Sequence, residues 1–340
     1  MWAKRIGAIV AAVALITGGL LVRRALDDDG GGSGGATTEP PAGATTVVCI
    51  PELVAACQAM AAADSTLAVE VEEAGTTYER LVDDPSSAPA AWVTLAPWSQ
   101  MVANAVALAG EPDPFAFAGA VAVSDLVMVG RSARMDAIAA HCGGTITWRC
   151  VGDNAGRPWA DLGGQEAWGV LKPSHADAAA SAAGLLSFAT IVADYWGSAD
   201  YTGTDLQNDD AFLSWLNRLE AAIPTYGDAV NTPLSILLAQ PRLDIVGTTA
   251  AEIDHKAGAQ AGDLTTASPA SQTLPLAEVV VAGGPAAQEL FDGTTLRDGL
   301  NATGWSAPAT GSPELPAGTG LPPADVMIAL RDLWKGVARR

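Results

Sequence analysis

Between positions 172 and 181 the chain reads KPSHADAAAS, which brings Lys172, Ser174, His175, Asp177 and Ser181 close together. Serine hydroxyls donate and accept hydrogen bonds, and an imidazole can stack or titrate near neutral pH. Those residue types suit the reversible holding of a polar solute. They do not suit acyl transfer, because Ser174, His175 and Asp177 sit too near one another to meet as a triad, whose members come from separate elements. A structural reading runs beside the binding one. In it Asp177 caps a helix, Lys172 is solvated and Ser181 packs as a small residue. For Ser174 and His175 the two readings stand level.

The elements that must carry these residues lie in the stretch 168–186, WGVLKPSHADAAASAAGLL. It predicts a short strand over 169–171, a polar loop over 172–177 and then a small-residue helix running to about Trp196. A strand–loop–helix turn aims the free N–H groups of a helix start at the loop mouth, a common way to build a ligand cleft.

The rest of the chain predicts an α/β layout. Strands are expected at 45–50, 67–73 and 91–95, with helices between them at 51–63 and 76–82. That β-α-β-α-β order generates a parallel sheet. Further strands are expected at 121–129, interrupted at Ser124-Asp125, at 243–246 and at 276–282. A strand or hairpin is expected at 143–150, and loops at 202–210 and 258–272. Helices are expected at 132–141, 211–223, 233–239, from 250 to 255, at 286–300 and at 324–337. If 121–129 and 276–282 cross between two lobes, residues 44–125 and 280–340 form one lobe and 126–279 the other. The strand ends then face the cleft, where open α/β sheets bind ligands. Trp98, Ser124 and Thr248-Thr249 follow or end such strands and become candidates by topology. For Trp98 a core role is an equal alternative, and Trp148, Trp159, Trp215 and Trp305 read as core.

Composition narrows the function. The net charge is −20, and setting aside Lys4, Arg5, Arg23 and Arg24 leaves 14 bases against 38 acids in the remainder, a balance of −24. Such a surface repels phosphate backbones, so nucleic acid is excluded as a partner. The run 6–22 carries no charge and follows Lys4 and Arg5. It predicts a signal anchor over 1–26 that holds the protein in the cell membrane as a single-pass chain with an extracytoplasmic domain; cleavage and secretion are the alternative. Residues 27–43, rich in Gly and Ser and ending near Pro40-Pro41, predict a flexible linker reaching roughly 20–25 Å. The four cysteines of an exported chain predict disulfides, and the sequence-local pairing Cys49–Cys57 and Cys142–Cys150 is the expected one. No zinc spacing, phosphate loop or catalytic motif is present, so no metal, cofactor or catalytic residue is assigned.

The segments 168–186, 121–130 (VAVSDLVMVG) and 287–305 (AQELFDGTTLRDGLNATGW) resemble those of extracellular solute-binding proteins of the type 2 periplasmic-binding-protein fold. The likeness is to the branch with molybdate- and sulfate-type binding proteins. More narrowly, it is to membrane-anchored substrate-binding-domain proteins of high-GC Gram-positive bacteria. The resemblance implies two lobes joined by two crossing strands, closing on a small-molecule solute that a membrane permease receives. Oxyanion-binding members present small hydroxylated residues after the first strand, whereas this chain has Cys49-Ile50-Pro51-Glu52. Glu52 therefore joins the candidates as a carboxylate standing where an anion should dock, and neutral or cationic solutes are favoured. The expected ligand set is Glu52, Trp98, Ser124, Lys172, Ser174, His175, Ser181 and Thr248. A second reading stays open: a non-catalytic envelope scaffold or sensory module whose cleft is degenerate.

Overall fold

The computed structural model describes residues 43–224, 232–240, 242–269, 276–316 and 320–338. The apolar run at 6–22, and all of the 27–43 linker except Gly43, lie outside them. Among the described residues no helix is long and apolar enough to cross a membrane.

In chain order the first elements are β1 (Thr45–Cys49), α1 (Val54–Ala63), β2 (Leu67–Val71), α2 (Ala74–Asp83), β3 (Ala91–Leu95), α3 (Trp98–Leu108) and β4 (Phe117–Arg131). Next come α4 (Ser132–His141), α5 (Trp148–Asn154), β5 (Pro173–Ser174), α6 (Ala182–Trp196), α7 (Gly203–Asn208), α8 (Asp210–Ala221), α9 (Pro233–Ala239), β6 (Ile245–Thr249) and α10 (Ala250–Lys256). The chain continues through β7 (Leu264–Ala267), β8 (Leu276–Gly283), α11 (Pro285–Asp292), α12 (Thr295–Ala302) and α13 (Ala324–Ala338).

The opening β-α-β-α-β run forms the expected parallel pairs, β1 with β2 and β1 with β3. β8 then lies antiparallel between β3 and the first half of β4. Beyond Asp125 the same β4 strand changes neighbours. Leu126–Gly130 pairs with β6 and Met128–Arg131 with β7, both antiparallel, while β5 adds to β6 in parallel. One 15-residue strand therefore belongs to two sheets. Its second half, Leu126–Gly130, is a continuous run buried on both faces, whereas Ala118 and Asp125 in the first half are exposed.

Several expectations change in the structure. Ser124-Asp125 does not interrupt β4; the only irregularity in its pairing with β8 is between Ala120 and Ala122. β8 pairs with β3 and with the first half of β4, so of the two expected crossing strands only β4 is shared between sheets. Residues 148–154 are helical, not extended, because Thr147 caps α5 by accepting the Cys150 N–H. The polar stretch 203–208 is also helical, started by a capping box of Thr202 and Asp205. The Leu-Thr-Thr-Ala run inside the expected 258–272 loop pairs as β7.

The segment 168–186 shifts most. Val170 makes only an isolated bridge to Pro158, and the strand falls at Pro173–Ser174, inside the expected loop. Asp177 is not the helix cap. Its Oδ1 accepts the N–H groups of Ala179 and Ala180, closing a turn of its own. Ser181 caps α6 instead, accepting the Gly184 N–H at 3.0 Å. The α6 helix is so apolar that Ala182 through Asp194 are all buried.

The cysteines pair as expected, Cys49 with Cys57 and Cys142 with Cys150. The first pair ties the end of β1 to α1; the second ties the residue after α4 to α5. The last helix, α13, packs against α3, α6 and α7. From it, buried Arg331 donates to the Ala179 carbonyl at 3.1 Å and to Glu79 at 2.6 Å, with its guanidinium over the Tyr78 ring.

Candidate functional site

Where the strands end, the chain leaves a cleft of about 590 Å³, within the size range of small-molecule sites. Pro51 and Glu52 after β1, Leu95 at the end of β3, and Thr248 and Thr249 at the end of β6 all line it. The two sheets thus contribute to one cavity. The lining continues through Ala176, Asp177, Ala180, Ser181 and Ala183, in the turn and helix start before and within α6.

Each side chain is placed by a local cause. Pro51 opens a single 3-10 turn directly after β1, and Glu52 lies in that turn. The Cys49–Cys57 disulfide encloses the same stretch. From there the Glu52 carboxylate meets the start of α6. Its Oε1 accepts the Ser181 hydroxyl at 2.7 Å and the Ala183 N–H at 3.0 Å. The negative charge complements the positive end of the helix dipole and satisfies an N–H that α6 cannot. Oε2 of Glu52 is sealed from solvent and has no hydrogen-bond partner among the described residues.

Glu73, directly before α2, adds a second carboxyl to the lining. Burial, then the nearby charges of Glu52 and Asp177, push it up to about 7. On the β6 side Thr248 donates to Glu252, and Lys256 donates to Glu252 at 2.8 Å and to Thr232 at 3.1 Å. The cation of this network is therefore already neutralised by a carboxylate. Trp305 supplies aromatic surface; it follows Gly304, whose φ of 88° turns the chain there.

Three of the eight expected ligand residues, Glu52, Ser181 and Thr248, come together in the cleft lining. The other five lie elsewhere, for identifiable reasons. Trp98 begins α3 and is fully buried, its indole edge-on to Tyr78 and near the Arg331 guanidinium. Ser124 accepts the Ala251 N–H at 2.9 Å and so fastens α10 to β4. The Lys172 N–H donates to the Asp244 carboxylate, and the Lys172 carbonyl accepts the Asp244 N–H. Ser174 is buried in β5. His175 turns away from the cleft into an ion pair with Glu220 on α8 at 2.9 Å, and its Nδ1 meets the Ala176 carbonyl. Burial opposes the charge on His175, yet Glu220 and that carbonyl outweigh it and leave the imidazole above its ordinary value.

Glu73, Glu252, Lys256 and Trp305 were not expected in the lining. Glu73 closes an alternating strand pattern and reads as a wet-face acid. Glu252 and Lys256 stand four apart, the spacing of a solvated helical pair. Trp305 reads as core in the sequence, and with 6% of its surface exposed it is buried while still lining the cleft. The Pro51-Glu52 and Gly304-Trp305 pairs, each a turn signal followed by a large side chain, were the available clue.

No family model matches the chain, and no curated protein matches it. Solved structures do. The periplasmic binding protein AfuA from Actinobacillus pleuropneumoniae, solved with fructose-6-phosphate, superposes with a TM-score of 0.55 at 12% identity, covering 88% of this chain and 97% of that one. A periplasmic thiamin binding protein gives 0.59 at 13% identity over 87% and 96%. The ferric binding protein from Campylobacter jejuni gives 0.55 at 8% identity over 87% and 98%. At such identities the likeness is one of architecture, and this chain has the mixed α/β fold of the periplasmic binding proteins.

Proposed function

We propose that the chain is an extracytoplasmic solute-binding protein that captures a small molecule between two lobes for transport or sensing. One lobe is built on β2-β1-β3-β8 and the first half of β4, the other on the second half of β4 with β5, β6 and β7. In residue numbers these are 44–125 with 280–340, and 126–279. The change of partners after Asp125 supports the first boundary, and the start of β8 at Leu276 favours moving the second a few residues earlier. Binding closes the lobes about β4, because only the closed form lets a solute touch both walls. The run 6–22 anchors the protein to the cell membrane, as in the membrane-anchored proteins of Gram-positive bacteria it resembles, and a membrane permease accepts the solute.

The observation that carries the reading is the 590 Å³ cleft lined by strand ends from both sheets. The neighbouring folds, which include binding proteins for thiamin and for iron, support it. The full chain, purified in detergent, is expected to release a co-purifying small molecule to mass spectrometry. Adding that molecule at a hundred times its Kd is expected to stabilise the protein by about 2.7 kcal/mol, a rise in Tm of about 5 °C. An empty mass spectrum together with an unmoved Tm across a broad solute library would sink the reading. Those same results would favour the scaffold or sensory reading, for which one observation speaks: Glu52 already occupies part of the cleft.

A further inference from the structure

A helix start binds anions through its free N–H groups and the positive end of its dipole. The 15-residue α6 presents such a start to the cleft, but the groups that would hold an anion are already engaged. The Ser181 hydroxyl and the Ala183 N–H both go to Oε1 of Glu52, which lies 129 positions before Ser181 in the turn after β1. Glu52 is not a loose surface acid that happens to lean there. Pro51 fixes the backbone before it, the Cys49–Cys57 disulfide closes its segment, and its Oε2 has no solvent contact. The charge it brings is felt at Glu73, which faces the same cavity. A second anion entering here would have to displace Glu52 or lie unpaired beside it.

We infer that Glu52 is the specificity-determining residue of the cleft. Its carboxylate holds the place that the anionic group of a solute would take. The cleft therefore admits uncharged or positively charged solutes, and it rejects oxyanions and carboxylates. This rests on the reading of the cleft as a solute site.

The test is calorimetric titration of the full chain with sodium sulfate, against sodium chloride at matched ionic strength. Calorimetry is chosen because sulfate raises melting temperatures without binding. Wild type is expected to show no saturable heat up to 10-millimolar sulfate, on the order of the millimolar affinities where a few hydrogen bonds suffice. Glu52→Ala is expected to bind sulfate at least tenfold more tightly than wild type. Glu52→Gln, which keeps the shape and loses the charge, is expected to fall between them and serves if the alanine variant does not fold. Adding Ala183→Pro to Glu52→Ala removes the N–H at a helix position that tolerates proline and is expected to abolish the gain. Equal sulfate binding by wild type and both folded Glu52 variants overturns the inference, as does a phosphorylated or carboxylate solute recovered from wild type. The two readings fail separately. A sulfate gain in a protein with no native solute defeats the transport reading alone, whereas a native solute without a sulfate gain defeats the role of Glu52 alone.

Discussion

Glu73 lies half buried at the lip of the cleft, near enough to Glu52 and Asp177 for their charges to oppose its ionisation. Its carboxyl titrates at about 7 when folded, against 4.5 as a free side chain. The raised value sets the sign. The uncharged folded form carries its full stability below about pH 4.5, and that stability is lost as pH rises through 7. Glu73→Gln is therefore expected to match wild type at pH 4.5 and to melt on the order of 2 °C higher at pH 8. Parallel melting curves across that range would show that the carboxyl is not held in this way. Nothing in the sequence marks Glu73, because what shifts it is first its burial in the folded cleft and then the charges of Glu52 and Asp177, 21 and 104 positions away. The same holds for His175, legible as a possible contact but not as the partner of Glu220. Glu52 was readable through the resemblance, which expects an anion just after the first strand, and Ser181 because it belongs to the polar stretch that opens a small-residue helix. Their bond to each other was not.

At the scale of elements, legibility followed how far each element depends on its own residues. β1, β3, α1 and α9 come from Pro signals, β-branched runs and apolar periodicity that need no partner. β5 and β7 are short strands that exist because β6 and β4 present open edges to them, and neither has a pattern of its own. The position of α6 depends on a close approach. The Gly75 N–H donates to the Ala180 carbonyl at 2.9 Å, and a Cβ on Gly75 would lie 2.1 Å from the Ala179 oxygen. Gly75→Ala must push α2 away from the 176–181 turn, and it is expected to cost about 1–3 kcal/mol in urea unfolding. Gly262→Ala, with nothing within 4 Å of its Cβ, is expected to change stability by less than about 0.5 kcal/mol. Equal midpoints for the two variants would remove the close approach as the reason for glycine at 75.

Over the whole molecule, α/β class and parallel start were legible in the order of elements, whereas the joining of two sheets was only partly so. A 15-residue strand that changes partners midway reads in the sequence as a shorter apolar strand broken at Ser124-Asp125. Only pairing reveals that Phe117–Asp125 answers to β8 and Leu126–Arg131 to β6 and β7. The Cys49–Cys57 bond has a consequence of a different kind. It encloses the residues that bring Glu52 to α6, and such bonds persist only under oxidising conditions. The Cys49→Ser/Cys57→Ser chain is expected to lose about 2–3 kcal/mol of stability and to take up sulfate as Glu52→Ala does, though more weakly; unchanged exclusion of sulfate would separate the bond from the selectivity. Discrimination would then be a property completed by oxidation. A chain whose thiols are still reduced would be a laxer receptor, and forming the Cys49–Cys57 bond would sharpen it.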